Sequence, residues 1–119
     1  MQTKTKAVPQ QFSPNWMESL DGRTALAQEL RGRYAAVCSD LGGETSLSYM
    51  QQSMITRALW LEFHLQQQEE LLATGEDFDS GKWVQAANAL QGIWAKLGLE
   101  RKAKEATLSQ FIKRQEVSQ

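Results

Sequence analysis

Apolar residues recur at three- and four-residue steps in three stretches of this chain, which is the spacing of one face of an α-helix. The stretches predict helices over about 23–41, about 46–73 and about 80–97. Both prolines, Pro9 and Pro14, precede residue 15, so nothing in the remaining sequence forbids long helices. We therefore expect an all-α protein.

Residues that favour helix ends mark the boundaries of these stretches. Asp21 and Asp79 are suited to cap the amino ends of the first and third helices. The glycines of Leu41–Gly43 are suited to end the first helix, and Gly98 to end the third in a Schellman turn. The third helix is therefore predicted to stop before residue 99.

The short turn from Thr74 to Gly81 joins the two longer helices, which predicts an antiparallel helical hairpin. The expected fold is a short first helix packed on this hairpin, with flexible arms at both ends. In this division, residues 1–20 form the N-terminal arm, 21–99 the helical domain and 100–119 a basic C-terminal segment.

The apolar face of the second helix is wide. Leu47, Met50 and Met54 begin its main row, and Trp60 lies beside the continuation of that row. A face wider than a two-stranded seam predicts contact with more than one neighbour. We expect Met54 and Trp60 to lie at a contact between subunits.

The N-terminal arm lacks periodicity but is too apolar for a purely solvated tail. Phe12, Trp16 and Met17 predict that part of it docks on the helical body or on a neighbouring subunit. Trp16 is a candidate anchor of such a subunit contact.

The net charge of −1 gives no general preference for nucleic acid, but the charges are unevenly distributed. Six acids and no Lys or Arg lie between Glu62 and Asp79, whereas five bases and three acids follow from Glu100 to the end. The bases of the C-terminal segment are Arg101, Lys102, Lys104, Lys113 and Arg114. They are either a solvated tail or a set of phosphate contacts giving weak, salt-sensitive binding without base readout.

Catalytic chemistry has little support. Cys38 is the single cysteine and fits a buried apolar position, and His64 is the single histidine, on a different helix. No metal-ligand, phosphate-loop or dinucleotide motif is present, so we expect neither an enzyme nor a cofactor. No stretch is apolar enough to span a membrane or to serve as a secretory signal, which favours the cytoplasm.

The stretches "LDGRTALAQELRGRYAAVCSDLGG" (20–43) and "NALQGIWAKLGLERKAKEATLSQFI" (88–112) resemble small helical proteins encoded by phages and prophages. A "DGRT"-type opening and an "LGL" phrase followed by basic residues, Glu105 and Thr107 carry the resemblance, which spans about three quarters of the chain. These proteins resemble small terminase subunits, the DNA-recognition components of viral genome packaging.

The resemblance implies a homo-oligomer in the cytoplasm of a bacterial host that binds double-stranded DNA and hands it to a large terminase subunit. It carries over no catalytic residue. Many small terminases have an N-terminal helix-turn-helix, whereas one helix precedes the hairpin here, so the resemblance implies an oligomeric packaging protein more than a sequence-specific DNA reader. The alternative is a phage-encoded inhibitor that binds a host protein through its acidic 62–79 region.

Overall fold

Three α-helices account for most of the chain in the computed structural model: α1 (Ala25–Asp40), α2 (Tyr49–Ala73) and α3 (Ser80–Val117). The structure describes the backbone of residues 4–117 and the side chains of residues 4–98. A 3-10 turn, Glu44–Ser46, separates α1 from α2. Within residues 4–117 there is no strand, and the predicted all-α fold, a short helix on a helical pair, is confirmed.

The cap of α1 differs from the prediction. The Oγ1 atom of Thr24, rather than the Asp21 carboxylate, accepts the backbone N–H of Ala27 at 3.2 Å. Asp21 instead accepts hydrogen bonds from the backbone N and Nε of Arg23, at 3.1 and 3.2 Å. These bonds from Arg23 lower the pKa of the Asp21 carboxyl. Asp21 therefore shapes the turn before the helix, three residues upstream of the cap.

The predicted glycine stop of α1 is confirmed. Gly42 and Gly43 have φ angles of 104° and 103°, and the N–H of Gly43 donates to the carbonyl of Cys38 at 2.8 Å. The chain then enters α2 through a capping box, in which Ser48 and Gln51 each accept the other's backbone N–H.

The predicted stop of α3 at Gly98 is wrong, because the helix continues to Val117. The glycines with positive φ in the described chain are Gly42, Gly43 and Gly75, so Gly98 does not adopt the conformation that a Schellman turn requires. The residues that follow, Leu99 to Ala106, include several strong helix formers. Their combined propensity outweighs the roughly 1 kcal/mol that one interior glycine costs. The start of α3 agrees with the prediction, since Asp79 Oδ1 accepts the N–H of Lys82.

The core lies along the amino-terminal half of α2, and both α1 and α3 contact α2. Its largest fully buried side chains are Trp16, Leu20, Leu30, Ile55, Leu59 and Leu97. Leu97 is the one buried residue among the described side chains of α3. The other apolar residues at three- and four-residue steps along the same face of α3 are only half-buried: Trp83, Ala86, Ala87, Leu90 and Trp94. The apolar stripe of α3 is therefore incompletely covered within one chain.

Much of the predicted N-terminal arm is structured, and we call residues 4–20 the strap. Its ends are joined where the N–H of Thr5 donates to the carbonyl of Ser19 at 3.0 Å and that of Asp21 donates to the carbonyl of Thr5 at 2.7 Å. Val8, Trp16 and Leu20 are buried, whereas Phe12 and Met17 pack partly buried against the core. The predicted docking of this segment is confirmed, and it occurs on the chain's own body.

Candidate functional site

Trp16 holds the strap against α2. Its side chain is 1% exposed, and its Nε1 donates to the backbone carbonyl of Thr56 at 3.0 Å. Trp16 has almost no surface left for a second chain in this structure, and its assignment to a subunit contact stays a prediction. Its role is to complete the core of a single chain.

Trp60 and His64, one turn apart on α2, both bind the same backbone atom of the strap. Trp60 Nε1 donates to the carbonyl of Pro9 at 2.9 Å, and His64 Nε2 lies 3.1 Å from the same oxygen. Because a carbonyl oxygen only accepts, His64 must carry its proton on Nε2. The two rings are 4.4 Å apart at their centroids. His64 therefore positions the strap.

Phe12 packs against Trp60, and Arg57 lies over the Phe12 ring. The Phe12 ring meets Trp60 edge to face with 5.9 Å between centroids, and the Arg57 guanidinium lies 4.3 Å from the Phe12 centroid. Contacts of these two kinds add about 0.5–1.5 kcal/mol each. Most of the recorded contacts of the Trp60 side chain are therefore with the strap. Its assignment to a subunit contact stays a prediction, and that contact would use the part of the side chain that remains exposed.

An exposed apolar surface, the Met50 patch, lies beside the strap and consists of Tyr49, Met50, Met54 and Ile93. Tyr49 is 79% exposed and Met50 is 72% exposed. Met54 and Ile93 are half-buried and line a shallow hollow with Arg57. Met54 therefore lies where a second chain could contact it, and its assignment to a subunit contact stays a prediction.

The opposite end of the hairpin carries a cluster that we call the acidic tip. It consists of five exposed acids: Glu69, Glu70, Glu76, Asp77 and Asp79. Glu62 is set apart from them because Arg33 binds it at 2.8 Å while also binding Glu29 at 2.7 Å. Among residues 4–98, no ion pair involves a member of the acidic tip. Its charge is free to meet a cationic partner.

The predicted DNA-contacting residues lie on the last part of α3. The helix backbone runs unbroken through Arg101, Lys102, Lys104, Lys113 and Arg114. Their side chains lie outside the described ones, so their contact with phosphate stays a prediction. The sequence predicted a separate C-terminal segment after the third helix, whereas in the structure these residues belong to α3 itself.

A cleft of about 360 Å³ separates the strap from α1 and the start of α2. Its polar lining includes Glu18, Arg31, Tyr34 and Glu44. Burial raises the pKa of Tyr34 to about 12, and it also raises the pKa of the Cys38 thiol. Both groups therefore stay protonated near neutral pH and are poor nucleophiles. The predicted burial of Cys38 is confirmed.

Sequence patterns missed the exposed apolar surface at the start of α2 and the hydrogen bonds that attach the strap to α2. Met50 belongs to the apolar row predicted for its helix, and it is exposed because α1 and α3 contact other sides of α2. The aromatic residues of a segment without periodicity were the available signal for the strap.

The fold and these surfaces define an all-α protein with an uncovered apolar patch, an acidic hairpin tip and a basic helix end. No protein-family model, curated protein or solved structure matches the chain. Of the helices in the described part of the chain, none has the length and apolar character to cross a membrane. Residues 4–98 contain no group of three or more potential metal ligands.

Proposed function

We propose that this chain is a small terminase-type phage protein: a non-catalytic, homo-oligomeric, DNA-binding component of viral genome packaging. In this proposal it works in the cytoplasm of the bacterial host and delivers DNA to a large terminase subunit. The resemblance of residues 20–43 and 88–112 to small terminases suggests the process, and the architecture of α3 supplies the physical argument.

The observation that carries the proposal is the unbroken extension of α3. This helix has 38 residues against the 25 of α2, its antiparallel partner. At about 1.5 Å per residue the difference is about 20 Å of helix. The excess length coincides with the basic C-terminal segment. A rigid helix holds cations in fixed register, which costs less entropy on binding than ordering a loose tail.

The charges of the extension suit a phosphate backbone rather than base edges. Arg101 and Lys104 are three residues apart, on one side of a helix, with Lys102 beside them. Three phosphate contacts predict a slope of about −2.7 in log K against log salt on duplex DNA. Affinity should be similar for unrelated sequences.

The experiment is a fluorescence-anisotropy titration of labelled duplex DNA at several salt concentrations. The triple variant Arg101→Ala, Lys102→Ala, Lys104→Ala should bind at least tenfold more weakly and show a slope near zero. The control is Lys4→Ala, Lys6→Ala, Lys82→Ala, which removes the same charge from exposed lysines elsewhere. Equal affinity of wild type and the first variant would contradict the assignment.

The acidic tip favours a second candidate function, a phage-encoded inhibitor that binds a host protein. Five exposed carboxylates at one end of a hairpin could mimic nucleic acid for a basic host surface. This function predicts that the chain fails to bind DNA and captures a host protein. Reversing Glu69 and Glu70 to Lys should abolish that capture.

A further inference from the structure

The described hairpin buries its apolar stripe incompletely. Trp83, Leu90 and Trp94 are half-buried, and the neighbouring Val84 and Leu72 are exposed. Two helices cannot enclose a core between them, and helical hairpins commonly close it by adding further helices. One chain therefore leaves both the stripe and the Met50 patch partly open.

Charge is segregated along the same hairpin. The acidic tip lies at the turn between α2 and α3, whereas Lys113 and Arg114 lie near the far end of α3. An arrangement with parallel neighbouring hairpins would bring acidic tip to acidic tip. An arrangement with opposed hairpins would bring each acidic tip to a basic end, which is the electrostatically complementary choice.

We infer that two copies of the chain pair through their hairpins in opposite directions, with the acidic tip of each copy against Lys113 and Arg114 of the other. The pairing is isologous, so one two-fold axis relates the copies. It rests on the self-association in the proposed function and adds its direction and register.

The position of the two-fold axis follows from the charges and agrees with an independent feature. If the amino end of α3 at Ser80 lies level with Lys113 and Arg114 of the second copy, the axis crosses α3 near residue 97. Ile93 and the exposed Tyr49 and Met50 lie near this level, since they line one hollow. The most exposed apolar side chains of the described chain are thus placed where two copies meet.

Distances between single labels on two copies test this geometry. Spin labels are attached at Lys96→Cys or Gln85→Cys, both exposed positions, in a Cys38→Ala background. These sites lie one and twelve residues from residue 97, where the two-fold axis crosses α3. Because the two helices run in opposite directions, equivalent labels are separated along the helix direction by twice that offset, about 3 Å at 96 and about 36 Å at 85. We expect a short inter-copy distance at 96 and one longer by at least about 20 Å at 85. Equal distances at both sites, or none at either, would overturn the inference.

A charge swap tests the acid–base contact. Glu69→Lys with Glu70→Lys should weaken pairing about tenfold or more at low salt, and Lys113→Glu with Arg114→Glu should do the same. Combining all four changes should restore pairing. Asp40→Lys with Glu44→Lys is the matched control, because it reverses two exposed acids at the end of α1. Helical circular dichroism checks that each variant folds, and failure of the combined variant to recover, with its fold intact, would overturn the contact.

The two proposals fail separately. Loss of DNA binding on replacing Arg101, Lys102 and Lys104, together with equal label distances, would keep the DNA-binding function and reject opposed pairing. A short label distance at 96 and a long one at 85, in a protein that does not bind DNA, would keep opposed pairing and reject the DNA-binding function.

Discussion

Replacing Trp16 with Ala tests whether the strap is part of the core of one chain. Trp16 is 1% exposed, and burial of a tryptophan removes about 150–250 Å² from water. At about 25 cal/mol per Å² that is about 4–6 kcal/mol, close to the 3–5 kcal/mol typical of Trp→Ala truncations. The hydrogen bond to Thr56 adds about 1 kcal/mol. We expect a loss near 4 kcal/mol in the free energy of unfolding, a large part of the stability of a domain this size.

Urea denaturation followed by circular dichroism measures this loss, and thermal unfolding should show a fall of roughly 10–20 °C. Trp16→Phe keeps most of the apolar volume and removes the N–H, so it should cost about 1–2 kcal/mol. Val84→Ala, at a position 48% exposed, is the control and should change stability by less than about 0.5 kcal/mol. A loss under 1 kcal/mol for Trp16→Ala would refute the reasoning. A fall in oligomeric mass with unchanged stability would return Trp16 to a subunit contact.

Four further predictions concern the residues at helix ends and the half-buried Tyr34. Gly98→Ala should raise the free energy of unfolding by about 0.5–1 kcal/mol in urea, because Gly98 lies inside α3; a loss there would reinstate a helix stop. Gly42→Ala should lower it by more than 1 kcal/mol, because the φ of Gly42 is 104°. Ser48→Ala should cost about 1 kcal/mol by the same assay through loss of the capping box. Burial raises the folded-state pKa of Tyr34 to about 12, above the unfolded value of about 10, so stability should fall as pH rises between these values. Tyr34→Phe should reduce that fall between about pH 10 and about pH 12, leaving the part due to Cys38, whose pKa burial also raises.

The helical layout was predictable because α1, α2 and the start of α3 each show the 3.6-residue period and a recognisable boundary. The Gly42–Gly43 stop and the Asp79 cap follow from local chemistry alone, and both are present. Thr24 replaced Asp21 as a cap within three residues, which is the usual uncertainty of helix ends.

The continuation of α3 past Gly98 and the docking of the strap depend on more than local signals. A glycine is suited to a helix stop, but the propensity of the residues beyond it decides whether the helix ends. The strap has no periodicity, and its attachment depends on Trp16, Trp60 and His64 reaching backbone carbonyls 40 or more residues away in sequence. Such pairings require knowledge of the tertiary fold.

The candidate surfaces were partly predictable, since the runs of acidic and basic residues are visible in the sequence. Their placement at opposite ends of one hairpin required α3 to be continuous, which the expected stop at Gly98 obscured. The exposure of Met50 could not be predicted from the apolar row to which it belongs. Periodicity shows that a helix has an apolar face, but it does not show which neighbouring element packs against that face.

The mass of the protein in solution bears on every function proposed for it. One chain has a mass of 13.4 kDa. Light scattering coupled to size-exclusion chromatography, over a range of concentrations at low salt, should give a multiple of this mass, because the hairpin leaves an apolar stripe and the Met50 patch uncovered. A mass of 13.4 kDa at every concentration, with the helices intact by circular dichroism, would contradict a scaffold that works by self-association.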